Sequence, residues 1–171
     1  MLKPGEPVPD LKLELTIGAQ YDLAKQSPEH FTLVVFYRGK HCPICRGQLK
    51  ALAGMLDEFT KRGINVVAVS MDEKARAMEV DAKWETGDVP LAYDLSETGA
   101  REWGLYLSPG REGTDEPEIF SEPGMFLVRP DGTLYFASVQ NAPFTRPPLD
   151  QLLQGIDYVI DKDYPTRGTL T

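Results

Sequence analysis

The only two cysteines of this chain, Cys42 and Cys45, lie where a strand pattern gives way to a helix pattern. The run from Phe31 to Tyr37 is nearly all apolar, which is typical of a central strand covered on both faces. The segment from Gly47 to Phe59 carries apolar residues at helical spacing. This junction places both thiols at a helix N-terminus, where free N–H groups and the helix dipole favour a thiolate. Because two sulfurs three positions apart can also close into a disulfide, the sequence predicts a redox dithiol.

Two other uses of a cysteine pair compete with this interpretation. A zinc site needs about four ligands, and the chain adds only His30 and His41, so a metal would have to be shared between two chains. Two buried structural cysteines are the second alternative. The intervening Pro43 and the nearby cations count against it and favour a reactive thiol; these cations are Arg38, Lys40 and Arg46.

Composition limits the class of protein. The 171 residues, 42% of them hydrophobic, suit one compact domain over residues 1–171 with a full core. The net charge of −8, with no basic stripe, argues against nucleic acid as a partner. No apolar run is long enough to span a membrane, and the first residues lack the features of a signal peptide. We therefore expect a cytoplasmic protein, in which a C-x-x-C pair is more typical of catalysis than of a permanent crosslink.

The remaining patterns predict an alternation of strands and helices. The predicted strands are 11–15, 31–37, 64–70 and 89–93, with a hairpin of 125–129 and 133–139. The predicted helices begin near residues 47, 73, 96 and 149, and the stretch from Tyr106 to Gly124 reads as an irregular loop. Parallel crossover units followed by an antiparallel hairpin predict an α/β domain with a central mixed sheet flanked by helices. With a C-x-x-C after an early central strand, this is the thioredoxin fold in an extended form.

Several segments resemble the peroxiredoxin-like branch of the thioredoxin superfamily, which includes the alkyl hydroperoxide reductases. The opening Gly5-Glu6-Pro7-Val8-Pro9-Asp10-Leu11 is similar to the family's G-x-x-A-P-D-F, and Val66 to Ser70 resembles its second core strand. Val89 to Asp94, followed by Ala100 to Leu105, resembles the segment before its late hairpin. The resemblance covers nearly the whole chain and implies a peroxiredoxin-type N-terminal extension and antioxidant reduction of peroxides by a thiol.

The central motif of that family is altered. Peroxiredoxins carry P-x-x-x-T-x-x-C, and this register places Arg38 at the proline, Cys42 at the threonine and Cys45 at the cysteine that attacks peroxide. Pro123 stands where the family has an arginine that binds peroxide. A proline there resembles thioredoxin-like reductases, which carry it in the cis form facing the C-x-x-C. The frame thus resembles a peroxiredoxin, and the site resembles a dithiol reductase.

Three neighbours of the thiols are candidates for activating or positioning roles. Arg38 could hold a peroxide or a thiolate, or be a solvated loop charge. His41 could act as a charge partner or proton acceptor, because the pKa of histidine lies near neutrality. Arg46 adds a positive charge next to Cys45.

Three functional hypotheses follow. In a peroxidase, Cys45 would attack peroxide and Cys42 would resolve the sulfenic acid. In a protein-disulfide reductase, Cys42 would attack, as its more accessible place in the helix suggests. A non-catalytic redox-sensing module is the third. Each enzyme needs a thiol electron donor and no cofactor, because sulfur carries the electrons; a homodimer is possible.

Overall fold

Strands and helices alternate through residues 2–170, the part of the chain that this computed structural model describes. The strands there are β1 (Lys12–Glu14), β2 (Gln20–Asp22), β3 (Phe31–Phe36), β4 (Ile64–Val69), β5 (Leu91–Ala92), β6 (Leu107–Pro109), β7 (Ile119–Ser121), β8 (Gly124–Val128) and β9 (Leu134–Val139). The α-helices are α1 (Pro43–Lys61), α2 (Lys74–Lys83), α3 (Glu97–Glu102) and α4 (Leu149–Lys162), and a short 3-10 helix spans Leu23–Lys25.

Five of these strands form the central sheet, in the order β5-β4-β3-β8-β9. Strand β3 lies in the middle and pairs in parallel with β4, Phe31 lying opposite Ile64. On its other side β3 pairs with β8 in the antiparallel sense, and β8 with β9 likewise. The predicted α/β fold with a central mixed sheet flanked by helices is therefore confirmed.

The predicted element order is wrong in two places. The stretch predicted as an irregular loop contains the antiparallel hairpin β6–β7, in which Leu107 pairs with Ser121. Strand β2, which pairs with β1, was also not predicted. All three missed strands have three residues, too few for an alternation of apolar and polar side chains to be recognised.

The two faces of β3 bury different neighbours, which explains its continuous apolar sequence. Leu33 and Val35 pack in a cluster with residues of α1, α2 and α4. Val34 and Phe36 point to the opposite face and pack with Trp103, directly after α3, and with the N-terminal segment. Burying a large aliphatic side chain stabilises a fold by about 1.5–3 kcal/mol, so both faces hold β3 firmly and fix the position of its C-terminal end.

The N-terminal segment lies against the sheet, as the predicted extension requires. Leu15 forms an isolated bridge to Ala92, and Pro7 forms one to Thr133, beside the start of β9. The N–H of Gly5 also donates to the carbonyl of Leu134 at 2.7 Å. These contacts cover the beginning of β9, which is the outer strand of the sheet, and leave its later residues without a partner strand among residues 2–170.

No helix in residues 2–170 is long and apolar enough to cross a membrane.

Candidate active site

The cysteine pair lies at the junction between β3 and α1, near the middle of the sheet. Cys42 is the N-cap residue of α1, and its sulfur accepts a hydrogen bond from the backbone N–H of Cys45 at 3.2 Å. Pro43 occupies the first turn, where its missing N–H costs no hydrogen bond. A thiolate at the Cys42 position is stabilised by the same N–H groups and dipole that favour any anion at a helix start.

Both thiols are buried. The exposed fraction of Cys42 is 1% and that of Cys45 is 0%, so the predicted greater accessibility of Cys42 is not found. Both cysteines are free rather than joined in a disulfide. Their side chains belong to the cluster on the α1 face of the sheet. A reactant can reach the sulfurs only if it is small or if the surrounding chain opens.

Arg146, which the sequence analysis did not single out, contacts both sulfurs. Its Nη2 lies 3.0 Å from the Sγ of Cys45 and 3.9 Å from the Sγ of Cys42. The residue stands in the segment between β9 and α4, 101 positions after Cys45, so sequence proximity gave no signal. Its position just before the last predicted helix was the available clue, since that helix packs beside α1.

The guanidinium of Arg146 is held in place by two further contacts. Its Nη1 donates to the Oε1 of Gln48, one turn into α1, and its Nε donates to the carbonyl of Pro143 at 2.9 Å. Gln48 in turn places its Nε2 3.5 Å from the sulfur of Met125 on β8. Arg146 therefore reaches the thiols in a fixed orientation, as charge-assisted hydrogen bonds to sulfur require.

The surroundings of the two thiols shift their pKa values in opposite directions. The pKa of Cys42 is lowered to about 6, first by a hydrogen bond from the Cys45 thiol, then by the backbone N–H of Cys45 and by the charges of Arg146 and Arg38. Burial is the main reason that the pKa of Cys45 is raised. The pair thus carries one negative charge near neutral pH, and Cys42 holds it.

The loop that leads to Cys42 is fixed by a buried carboxylate. Asp72 accepts the N–H of Lys40 at 2.7 Å and pairs with Arg76 at 3.0 Å. Gly39 packs so closely on this carboxylate that a Cβ would lie 2.7 Å from its Oδ1, and its φ of +122° also favours glycine. The adjacent ends of the parallel strands β3 and β4 bring these residues together.

Arg38 lies near the thiols but is already paired. Its Nε lies 3.1 Å from a carboxylate oxygen of the buried Glu122, and its guanidinium stacks over the Phe120 ring at 4.6 Å. Glu116 lies at 3.9 Å on the other side. Arg38 is therefore a partly buried, compensated charge rather than a solvated one, and its field helps to lower the pKa of Cys42.

His41 packs its ring against Phe120 at 4.5 Å, and both ring nitrogens lack a hydrogen-bond partner among the described residues. Burial, and then the charge of Arg38, lower the pKa of His41 to about 4. The imidazole is therefore neutral at physiological pH and supplies no positive charge to the thiolate.

The other two candidates make no hydrogen bond or ion pair with the sulfurs among residues 2–170. The side chain of Arg46 is 52% exposed and lies 4.0 Å from Glu85, and no hydrogen bond or ion pair within residues 2–170 joins it to either thiol. Pro123 is buried, and its carbonyl accepts the N–H of Gln140 at 3.0 Å. No peptide bond in the described part of the chain is cis, so Pro123 does not have the cis form that thioredoxin-like reductases carry at this position.

Over residues 2–170, no group of three or more histidine, cysteine or acidic side chains is arranged to hold a metal ion.

The split acidities predict how thiol reactivity depends on pH. Because the thiolate is the nucleophile, alkylation of the reduced protein by iodoacetamide should follow ionisation of Cys42, with a midpoint near pH 6. The rate should fall about tenfold for each pH unit below the midpoint and level off by about pH 7. Mass spectrometry of peptides would locate the label on Cys42; a midpoint above pH 8 would contradict the proposed stabilisation.

Comparison with known sequences gives a consistent family. The family model described as AhpC/TSA family matches residues 4–137. A 1-Cys peroxiredoxin of Dictyostelium discoideum is 28% identical over 141 residues, which cover 78% of this chain and 54% of that protein. The putative peroxiredoxin ycf42 of Trieres chinensis is 25% identical over 159 residues, covering 85% of this chain and 74% of the relative. The chain spans between 31% and 54% of the length of the three 1-Cys relatives.

Solved structures show the same fold. Peroxidoxin BcpB from Mycobacterium tuberculosis superposes with a TM-score of 0.74 at 19% identity, over 93% of this chain and 99% of that one. Mycobacterium tuberculosis AhpC superposes with a TM-score of 0.76 at 17% identity, over 100% of this chain and 99% of that one. The C45S mutant of peroxiredoxin 6 of Arenicola marina gives 0.78 at 18% identity, over 95% and 76%.

Proposed function

Because this chain belongs to the AhpC/TSA family, we propose that it is a thiol-dependent oxidoreductase that reduces peroxides. It would act as a single domain over residues 1–171, through a disulfide that forms and breaks between Cys42 and Cys45. The observation that carries the proposal is the contact of Arg146 with both sulfurs, beside a Cys42 thiol whose pKa is lowered to about 6.

The oxidative step begins with the sulfur that is ionised. The Cys42 thiolate attacks one oxygen of a hydroperoxide, the O–O bond breaks, and Cys42 becomes a sulfenic acid. The other oxygen leaves with the bonding electron pair as an alkoxide or hydroxide and takes the proton of the Cys45 thiol. Arg146 stabilises the charge that develops on these oxygens, because its guanidinium already points at the sulfurs.

The second step regenerates a neutral site. The Cys45 thiolate, left by that proton transfer, attacks the sulfur of the Cys42 sulfenic acid, and hydroxide leaves as water with a proton from solvent. The sum is two thiols and one hydroperoxide giving one disulfide, one alcohol and one water. An electron donor with a pair of thiols then returns two electrons and two protons to the disulfide.

The neighbours of the dithiol contribute in different ways. Arg38 lowers the pKa of Cys42 through its charge and keeps the loop in place through Glu122. The neutral His41, next to Cys42 in the chain, packs its ring on Phe120 and adds no charge to the site. We assign no part in the reaction to Arg46 or Pro123, because neither makes a hydrogen bond or ion pair with a sulfur within residues 2–170.

A second copy of the chain and a thiol donor are the proposed partners. Strand β9 is the outer strand of the sheet, and beside it an apolar groove of about 500 Å³ runs along α4, lined in part by Phe136, Leu152 and Ile156. Strand addition at this edge would suit a homodimer. Peroxide reduction by a cycling dithiol suits the cytoplasm, which supplies reducing thiols.

Reduction of protein disulfides is the alternative activity, and a non-catalytic redox module is the second. The acidic Cys42 at the helix start would suit a reductase, but the burial of both sulfurs supports a small oxidant over a protein disulfide. A peroxidase, a protein-disulfide reductase and a redox module differ in which compound oxidises the dithiol and in whether the protein then turns over with an electron donor.

Parallel oxidation of the reduced protein tests the proposal. Equal concentrations of hydrogen peroxide, cumene hydroperoxide and a denatured disulfide-bonded protein would be mixed with it, and free thiols would be counted after acid quenching. We expect at least one hydroperoxide to react tenfold or more faster than the disulfide, yet below the diffusional limit of about 10⁸–10⁹ M⁻¹s⁻¹. A faster disulfide reaction would favour the reductase. No turnover with dithiothreitol as donor would favour the redox module.

A further inference from the structure

Residues 140–148, between β9 and α4, are tied to the site almost entirely through one side chain. The N–H of Gln140 still bonds to the carbonyl of Pro123 at 3.0 Å. Beyond it, no backbone N–H or C=O of residues 141–147 takes part in a backbone–backbone hydrogen bond with any described residue. From residues 141–147, the hydrogen bonds that reach other parts of the protein come from Arg146, to Gln48 and to the two sulfurs.

The same segment is held in an unfavourable backbone conformation. Thr145, directly before Arg146, has a φ of +63°. A β-branched residue rarely adopts this left-handed region, since its Cβ crowds the backbone there. Such a conformation persists only while contacts nearby enforce it, and the guanidinium contacts of Arg146 are the adjacent ones.

Oxidation removes the negative charge that Arg146 faces. In the reduced protein the Nη2 of Arg146 lies 3.9 Å from the sulfur of Cys42, the more acidic thiol, and donates to the sulfur of Cys45 at 3.0 Å. A disulfide carries no charge, and neutral sulfur is only a weak acceptor. After oxidation, the bond to Gln48 would be the one strong contact left to oppose the strain at Thr145.

We propose that residues 140–148 form a redox-sensitive strap, which Arg146 clamps over the reduced dithiol and which is released when Cys42 and Cys45 form a disulfide. This regulation rests on the redox dithiol proposed above. It supplies a step that the closed site lacks, because a donor thiol could not approach a disulfide that stayed as buried as the reduced Cys42 and Cys45, which are 1% and 0% exposed. Release would also reshape the apolar groove, since Pro147 and Pro148 at the end of the strap line it. The reduced and oxidised proteins would then present different surfaces to the donor.

Chymotrypsin provides a direct readout, because the strap carries Phe144, whose side chain is 62% exposed. Protein kept in dithiothreitol would be compared with protein oxidised by diamide, which takes up two hydrogens from two thiols and needs no peroxidase activity. Mass spectrometry would confirm the loss of two hydrogens and follow cleavage after Phe144. We expect cleavage at least tenfold faster in the oxidised protein, with cleavage after the exposed Tyr106 unchanged.

Two variants separate the strap from a general loosening. Arg146→Met should be cut after Phe144 as fast when reduced as the oxidised wild type. The double variant Cys42→Ser, Cys45→Ser should show no response to diamide. Hydrogen exchange of peptides covering 141–147 gives a second measurement on the wild type and should accelerate on oxidation.

Equal cleavage and equal exchange in the two forms, with the disulfide confirmed by mass, would overturn the strap while leaving the dithiol intact. A protein that keeps two free thiols in excess diamide would overturn the dithiol and the strap together.

Discussion

Cys42→Ser should lower the rate of peroxide reduction at least a hundredfold, and Cys45→Ser should still react once and stop as a sulfenic acid on Cys42. The reason is that Cys42 is the thiol that is ionised near neutral pH, with a pKa lowered to about 6. The pKa of Cys45 is raised by burial, and replacing Cys42 leaves that burial unchanged. A hundredfold loss corresponds to about 2.7 kcal/mol of activation free energy.

The measurement is a single-turnover reaction with hydrogen peroxide in the presence of dimedone, which traps sulfenic acids. Peptide mass spectrometry would locate the adduct in each single variant. Serine is a good N-cap, so Cys42→Ser should keep the start of α1 folded, and circular dichroism would verify this. The double variant serves as the blank.

The opposite outcome has a clear meaning. A dimedone adduct on Cys45 of Cys42→Ser, formed at a rate near that of the wild type, would make Cys45 the nucleophile. That is the role that the peroxiredoxin register predicts for it. In that case the 3.0 Å contact with Arg146 would lower the pKa of Cys45 by more than burial raises it.

The sequence predicted the frame of this protein well because long apolar patterns carry it. The strand at Phe31–Phe36 and the helix that follows are confirmed, since both are long and strongly patterned. Their junction places the cysteines at the helix start, and this followed from the order of the two patterns alone. The hairpin β6–β7 was missed because strands of three residues have no readable period.

The surroundings of the thiols were less predictable, because they depend on contacts between distant parts of the chain. The arginine was sought just before β8, where Pro123 stands, whereas Arg146 reaches the sulfurs from beyond β9. The contact of Asp72 with the N–H of Lys40 depends on the adjacency of β3 and β4 in the sheet. The sequence left Arg38 either as a cation that holds a peroxide or thiolate or as a solvated loop charge. The structure shows that its charge is compensated by the buried Glu122.

Arg146→Met should raise the pKa of Cys42 and slow peroxide reduction about a hundredfold. The substitution keeps an unbranched side chain and removes the donor that contacts both sulfurs. Loss of one oriented donor at a developing negative charge typically costs a factor of about 10²–10³. Part of the loss should be recovered at higher pH, because the thiolate then forms without the guanidinium; the remainder measures stabilisation of the transition state.

The matched control is Arg46→Met, which removes the same charge one residue after Cys45. Its side chain is half-exposed and faces Glu85, so we expect less than a threefold change in rate and an unchanged titration of Cys42. The rate of peroxide reduction by Arg146→Lys should lie between those of Arg146→Met and Arg46→Met, because an ammonium restores the charge without the planar fork of donors. Stopped-flow rates from pH 5 to 9 for the three variants would separate charge from geometry. If Arg146→Met and Arg46→Met lose activity equally, the thiolate is stabilised by general positive charge and not by contact with Arg146.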